Sequence, residues 1–198
     1  MKRRFLSIVL LISALLLAAC EKNAGSSSSG GLLSFDQTEE ARTKIVEANG
    51  DLRKIRQIFN DSEPRLQELQ QAMREKNETR VRELCDDLVT KINAGAEIAE
   101  EAIRKIREAH DMNINDDFKE YLRLKIDCLE KYLDAYEKRR EAAILLRDGY
   151  DPKNAAKRDR FLAEFKIKED EFKVLMEEAR LSSEDANMLA IEVLRRKQ

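Results

Sequence analysis

The sequence predicts an all-α protein, an antiparallel bundle of about four long helices with coiled-coil-like packing, and three observations carry that prediction. Apolar residues recur at alternating steps of three and four along most of the chain, the spacing of a helical seam. Charged residues make up 38% and aromatic residues 6% of the 198 residues, with no Trp; an ordinary globular domain is about one quarter charged. Such a composition suits long solvated helices with narrow apolar seams. Finally, most of the residues that interrupt helices sit where helices are expected to begin or end: three of six glycines, Gly25, Gly30 and Gly31, precede the first helical stretch, and the two prolines, Pro64 and Pro152, fall at expected helix starts.

The first helix is expected from about Asp36 to Phe59, where Ala41, Ile45, Ala48, Leu52, Ile55 and Phe59 form a stripe that passes through Asn49-Gly50 in register. A second is expected to open at Asp61-Ser62-Glu63-Pro64, a capping candidate followed by a proline in the first turn, where its missing N–H does no harm. Its stripe begins with Leu66, Leu69 and Met73. After a polar stretch around Asn77, the weak point of the helix, the stripe resumes with Val81, Leu84, Leu88 and Ile92 and continues to Ala109. Drawn unbroken to His110, this helix is roughly 70 Å long.

The third helix, about Asp116 to Asp148, has a wider apolar face that includes Phe118, Leu122, Ile126, Leu129, Leu133 and Leu146, and a helix apolar over such an arc touches more than one neighbour. It is therefore placed centrally, with Gly149 expected in the left-handed position after its end and Asp151-Pro152 starting the fourth helix. In that fourth helix Phe161, Phe165, Phe172, Leu175 and Ala179 lead a stripe that continues in register as Ser182, Ala186, Leu189 and Val193. One long helix is expected despite a second cap-like segment, Leu181-Ser182-Ser183-Glu184-Asp185.

The chain ahead of these helices is of a different kind. Lys2, Arg3 and Arg4 precede an apolar run from Phe5 to Leu17, broken only by two serines and followed by Ala18, Ala19 and Cys20. This is the layout of a secretory signal, and its apolar run of about 13 residues, roughly 20 Å as a helix, is too short for a hydrocarbon core of ~30 Å. Leu17-Ala18-Ala19-Cys20 resembles the lipobox of bacterial lipoproteins. That resemblance implies cleavage between Ala19 and Cys20, diacylation of the Cys20 thiol and acylation of the new amino terminus. Two or more acyl chains anchor a protein stably where one does not.

The resulting organisation is a removed signal peptide (1–19), a lipidated cysteine with a Gly/Ser tether (20–35) and a helical bundle (36–198). Loss of residues 1–19 removes three basic side chains, so 34 Lys+Arg face 39 Asp+Glu, a net charge of about −5 in place of −2. The resemblance implies a cell-envelope location, lipid-anchored to a membrane and facing the periplasm or the exterior.

Several function classes find no support in the sequence. The mildly acidic, evenly mixed charge offers no nucleic-acid footprint, and the glycines build no phosphate loop. Asp111-Met112-Asn113-Ile114-Asn115-Asp116-Asp117 opens like a calcium loop, but Asp116 stands where the turn needs Gly and Leu122 where a bidentate Glu belongs. His110 is the only histidine, and Arg107 occupies the position a Glu-x-x-His metal pair would need. The expectation is no metal, no cofactor and no catalytic residue.

Cys85 and Cys128 are expected as free, buried thiols, because a straight hairpin offsets them by about 18 Å, far beyond the ~7 Å that a disulfide spans between α-carbons. Tyr121, Tyr132 and Tyr136 lie on one side of the third helix, where they either belong to the core or line a ligand groove. Two functions follow as expectations. The first is a membrane-anchored envelope lipoprotein whose bundle is a structural or protein-interaction module, its partners being the bilayer through acylated Cys20, an envelope protein, and a second copy along any leftover apolar seam. The alternative is a ligand-binding or sensory bundle with a pocket at the tyrosines.

Overall fold

Four helices account for nearly all of residues 36–196, which a computed structural model describes: α1 (Thr38–Arg74), α2 (Glu78–His110), α3 (Asp116–Gly149) and α4 (Ala155–Arg196). The expected export segment, the cleavage site at Ala19 and Cys20, and the tether lie outside the described residues. Each helix runs antiparallel to the one before it, and the extensive packing follows chain order, α1 on α2, α2 on α3 and α3 on α4. The all-α bundle is thus as expected. No helix among the described residues is long and apolar enough to cross a membrane.

The first connection differs from the expected one. Instead of ending near Phe59, α1 continues through Pro64 to Arg74, and the chain reverses at Glu75–Asn77. A proline inside a helix deprives the carbonyl four residues back of its partner. Here that carbonyl belongs to Asn60, and both Asn60 and Pro64 are exposed, so water can take the place of the lost N–H. On the opposite face Leu66, Leu69 and Ala72 carry the seam onward against Val81, Leu84, Cys85 and Leu88 of α2, and this burial holds the helix together across the proline.

The reversal is a Schellman turn. Asn77 N–H donates to the Ala72 carbonyl (2.9 Å) and Lys76 N–H to that of Met73 (3.2 Å), with Lys76 itself left-handed at φ 55°. Asn77 then caps α2, its side-chain oxygen accepting from Arg80 N–H at 3.0 Å. Dividing the chain here gives α1, α2 and α3 similar lengths of 37, 33 and 34 residues, about 50–55 Å each. The 70 Å second helix drawn from the sequence would have had no partner of equal length.

The third helix spans the expected residues, but Gly149 is its last helical residue and not a left-handed cap; no glycine among the described residues has positive φ. What Gly149 provides is room, since a Cβ there would overlap the Phe161 ring of α4. The next residue, Tyr150, is buried and its hydroxyl donates to the Met73 carbonyl (3.0 Å), tying the end of α3 to the Schellman turn after α1.

The start of α4 also lies later than expected. Asp151 closes an Asx turn by accepting from the backbone N–H of Lys153 and Asn154, and Asn154 caps the helix through Lys157 N–H at 3.0 Å. From there α4 runs unbroken to Arg196, and Ser182 and Ser183 are buried in it.

Two core clusters occupy opposite ends. One, around Leu84, Leu88, Leu146 and Tyr150, joins all four helices, with Leu162 and Phe165 of α4 packed against it. The other, around Ala48, Ile106, Ile114 and Leu122, joins α1, α2 and α3.

Candidate functional site

Polar side chains between the helices form local ties. Asp51 of α1 is 6% exposed and accepts from Lys105 of α2 at 2.6 Å and from Lys54 at 2.8 Å. These ammonium groups, Lys105 first, hold its carboxyl below the usual range. Between α3 and α4 a triangle forms: Ser182 Oγ donates to Asp127 Oδ2 (2.7 Å), while Lys131 Nζ donates to both Ser182 Oγ (2.7 Å) and Asp127 Oδ2 (2.8 Å).

A serine beside a lysine invites comparison with a nucleophile and its base, and the sequence offered no sign of the pair because 51 residues separate its members. The carboxylate of Asp127 settles its chemistry. It raises the Lys131 pKa, keeping that group a charged donor with no lone pair for the serine proton. The triangle ties α3 to α4.

Tyr121 and Tyr136, two of the three tyrosines singled out from the sequence, occupy separate environments. Tyr121 packs in the cluster at the α1–α2–α3 end, 6.4 Å from the Phe118 ring, and burial pushes its hydroxyl up to about 12. Tyr136 meets Phe172 of α4 at 5.9 Å, and Arg139 covers the other ring contact of Phe172 at 3.6 Å while reaching Glu169. Tyr132 is half-buried between them in sequence. From Tyr121 to Tyr136 the helix rises roughly 22 Å, so these two side chains lie along a stripe of the helix.

Near the end of this stripe Lys125 lies 5.5 Å from the Tyr121 ring centre and 3.5 Å from Asn187 Oδ1, and burial lowers its pKa. Cys85 and Cys128 are free and buried as expected, and Cys128 Sγ donates to the Ala179 carbonyl at 3.2 Å. His110, half-buried at the end of α2, lies beside Asp111, and no group of three or more His, Cys, Asp or Glu side chains among the described residues is placed to hold a metal.

Among the described residues, large exposed apolar side chains form a row on the outer side of α4, while Val46 of α1, 67% exposed, stands singly. Ile167, Val174, Leu181 and Met188 are exposed by 57, 59, 48 and 60%, and they recur at intervals of seven. They lie about 140° around the helix from the buried line of Phe172, Ala179 and Ala186. One turn later Ile191 extends the line.

On either side of this apolar line runs an acidic one. Asp170, Glu177 and Glu184 flank it about 60° to one side, and Glu171, Glu178 and Asp185 about 40° to the other. Between residues 166 and 192 eight acidic side chains stand against four basic ones. On the first rail Lys166 and Lys173 pair with Asp170 and Arg180 with Glu177 and Glu184; on the second, Glu171 pairs with Lys168 and with Lys138 of α3, and Glu178 adds to the field at Lys131 of α3. An open hollow of about 520 Å³ lies over the line where Ile167 and Val174 meet Leu175 and Lys138.

The sequence reading left this line out because it took the aromatic-bearing stripe of α4 as the helix's only seam. The signal was present as a second seven-residue repeat. Comparison with protein-family models, curated proteins and solved structures finds no match for the chain.

Proposed function

We propose that the protein is a lipoprotein of the bacterial cell envelope, held at a membrane by acylated Cys20, whose helical bundle is a protein-interaction module. The observation that carries the anchoring is the run from Lys2 to Cys20: a basic start, a short apolar stretch and Leu17-Ala18-Ala19-Cys20 directly before a Gly/Ser segment. The module reading is supported by the outer face of α4, where a row of large apolar side chains stays in water although the bundle has a buried seam of its own.

The test compares the intact protein with its Cys20→Ala form in the native envelope. Metabolic fatty-acid label is expected on the first and absent from the second, and the first is expected in the membrane fraction. Label persisting on the Cys20→Ala form overturns the anchoring. Chemical cross-linking in intact cells is expected to join the anchored chain to a defined envelope protein, and cross-links spread without preference over abundant proteins overturn the module.

A further inference from the structure

Resting on the reading of the bundle as an interaction module, we infer that the outer face of α4 docks an amphipathic helix of another protein whose apolar seam is bordered by lysine or arginine. The seam from Ile167 to Met188 covers three heptads, about 32 Å, the spacing by which one helix reads another. Its exposed side chains present on the order of 400 Å² of apolar surface, the size of the largest apolar patch on a typical monomer, which is often functional.

Charge decides the occupant. The seam lies between two acidic rails, and with eight acidic side chains against four basic ones from residue 166 to residue 192 the face keeps an excess of negative charge after the ion pairs within α4 are formed. A helix laid along the seam therefore brings its own flanking residues against carboxylates on both sides. Lysines and arginines there offset the excess of carboxylates, whereas acidic flanks meet like charge in a partly dehydrated contact.

The same rails disfavour a second copy. Two α4 seams placed together set Glu177, Glu178 and Glu184 against carboxylates of the other copy whether the helices run parallel or antiparallel. A bilayer rich in anionic phospholipid meets the same repulsion. With roughly 800 Å² buried over both partners, the complex falls in the range of transient contacts, and micromolar affinity is expected.

The experiment uses the mature acylated chain in nanodiscs of zwitterionic lipid and two labelled 28-residue helical peptides. Both carry the same leucine seam, one with lysine flanks and one with glutamate flanks. Fluorescence anisotropy is expected to show the lysine peptide binding at least tenfold tighter, with affinity falling severalfold between 50 and 500 mM salt. Val174→Ser with Leu181→Ser, both at exposed positions, is expected to weaken binding tenfold with an unchanged circular dichroism melt. Glu178→Lys with Asp185→Lys is expected to narrow or reverse the preference between peptides.

Equal binding of the two peptides, or binding untouched by the seam variant, overturns the inference. So does a seam-dependent dimer in sedimentation, which assigns the face to a second copy, or seam-dependent capture by phosphatidylglycerol vesicles, which assigns it to lipid. If the peptides fail while the anchored chain still cross-links to one envelope protein in cells, the docking inference falls and the module reading stands. Loss of the cross-link as well removes both.

Discussion

Replacing Gly149 with Ala sets two effects of opposite sign against each other. In most helices the change is favourable, by up to about 1 kcal/mol, because Ala surrenders less backbone freedom than Gly. At Gly149 the added methyl would overlap the Phe161 ring. Relieving that overlap moves a half-buried aromatic ring out of its place or shifts the start of α4. Overpacking of this kind costs about 1–3 kcal/mol, so the net expectation is a loss of about 1–2 kcal/mol. For a domain of this size that lowers Tm by about 3–6 °C.

The diagnostic measurement is a double-mutant cycle by urea or thermal unfolding. In a Phe161→Ala background the obstacle is gone, the backbone at 149 is helical with negative φ, and Gly149→Ala is expected to stabilise by about 0.5 kcal/mol. The coupling between the two sites is then about 2 kcal/mol. A glycine needed for left-handed geometry behaves differently: its replacement costs about 1 kcal/mol or more whatever stands at 161. A penalty unchanged by Phe161→Ala, or a Gly149→Ala protein more stable than the parent, refutes the packing account.

Three further outcomes follow from local geometry. Lys76 is left-handed in the α1–α2 turn, so Lys76→Gly is expected to raise stability by about 0.5–1 kcal/mol, and a lower Tm contradicts that geometry. Asp51 has its carboxyl held below the usual range by Lys105 and Lys54; because the folded value lies below the unfolded one, its contribution is full above about pH 4 and is lost as pH falls through the folded value. Asp51→Asn is therefore expected to cost about 1–3 kcal/mol at pH 7 and less by pH 2.5 in thermal melts, and a gap that widens on acidification refutes it. Burial pushes the Cys85 thiol up to about 12 and that of Cys128 up to about 11, so at pH 8 neither is expected to react with a disulfide reagent until the protein unfolds. Two thiols per chain are then expected if Cys20 is acylated and three if it is not.

The third helix was the most legible part of the sequence, since it is bounded by Asn115, whose side chain accepts from Phe118 N–H at 2.9 Å, and by a Gly-Tyr-Asp-Pro stretch. The α1–α2 boundary was misread because two local signals competed. Pro64 is the stronger breaker in isolation, but the apolar seam continues past it and Asn60 loses its partner at the surface, where the loss is mild. Glu75-Lys76-Asn77 carries neither glycine nor proline, and its turn depends on one strained lysine that no propensity scale would choose. Gly149 shows the converse: the residue type was informative about a special need, but the need was space for a side chain 12 positions later and not a backbone angle.

The outer face of α4 was illegible for a different reason. A search for one stripe per helix selects the line with the most apolar area, and Phe165 and Phe172 guarantee that the inner line wins. The second line is then divided among supposedly solvated positions, where a lone exposed leucine or methionine is unremarked because such residues are common on protein surfaces. Spacing is what separates it from that background, for Ile167, Val174, Leu181 and Met188 recur at equal intervals and each is bordered by carboxylates, at Met188 by Asp185 and Glu192. An apolar row without its rails would invite pairing between copies and collapse onto lipid. With them it stays open to a partner able to satisfy both features at once, and the acidic residues that make α4 read as an ordinary charged helix are what make the face selective.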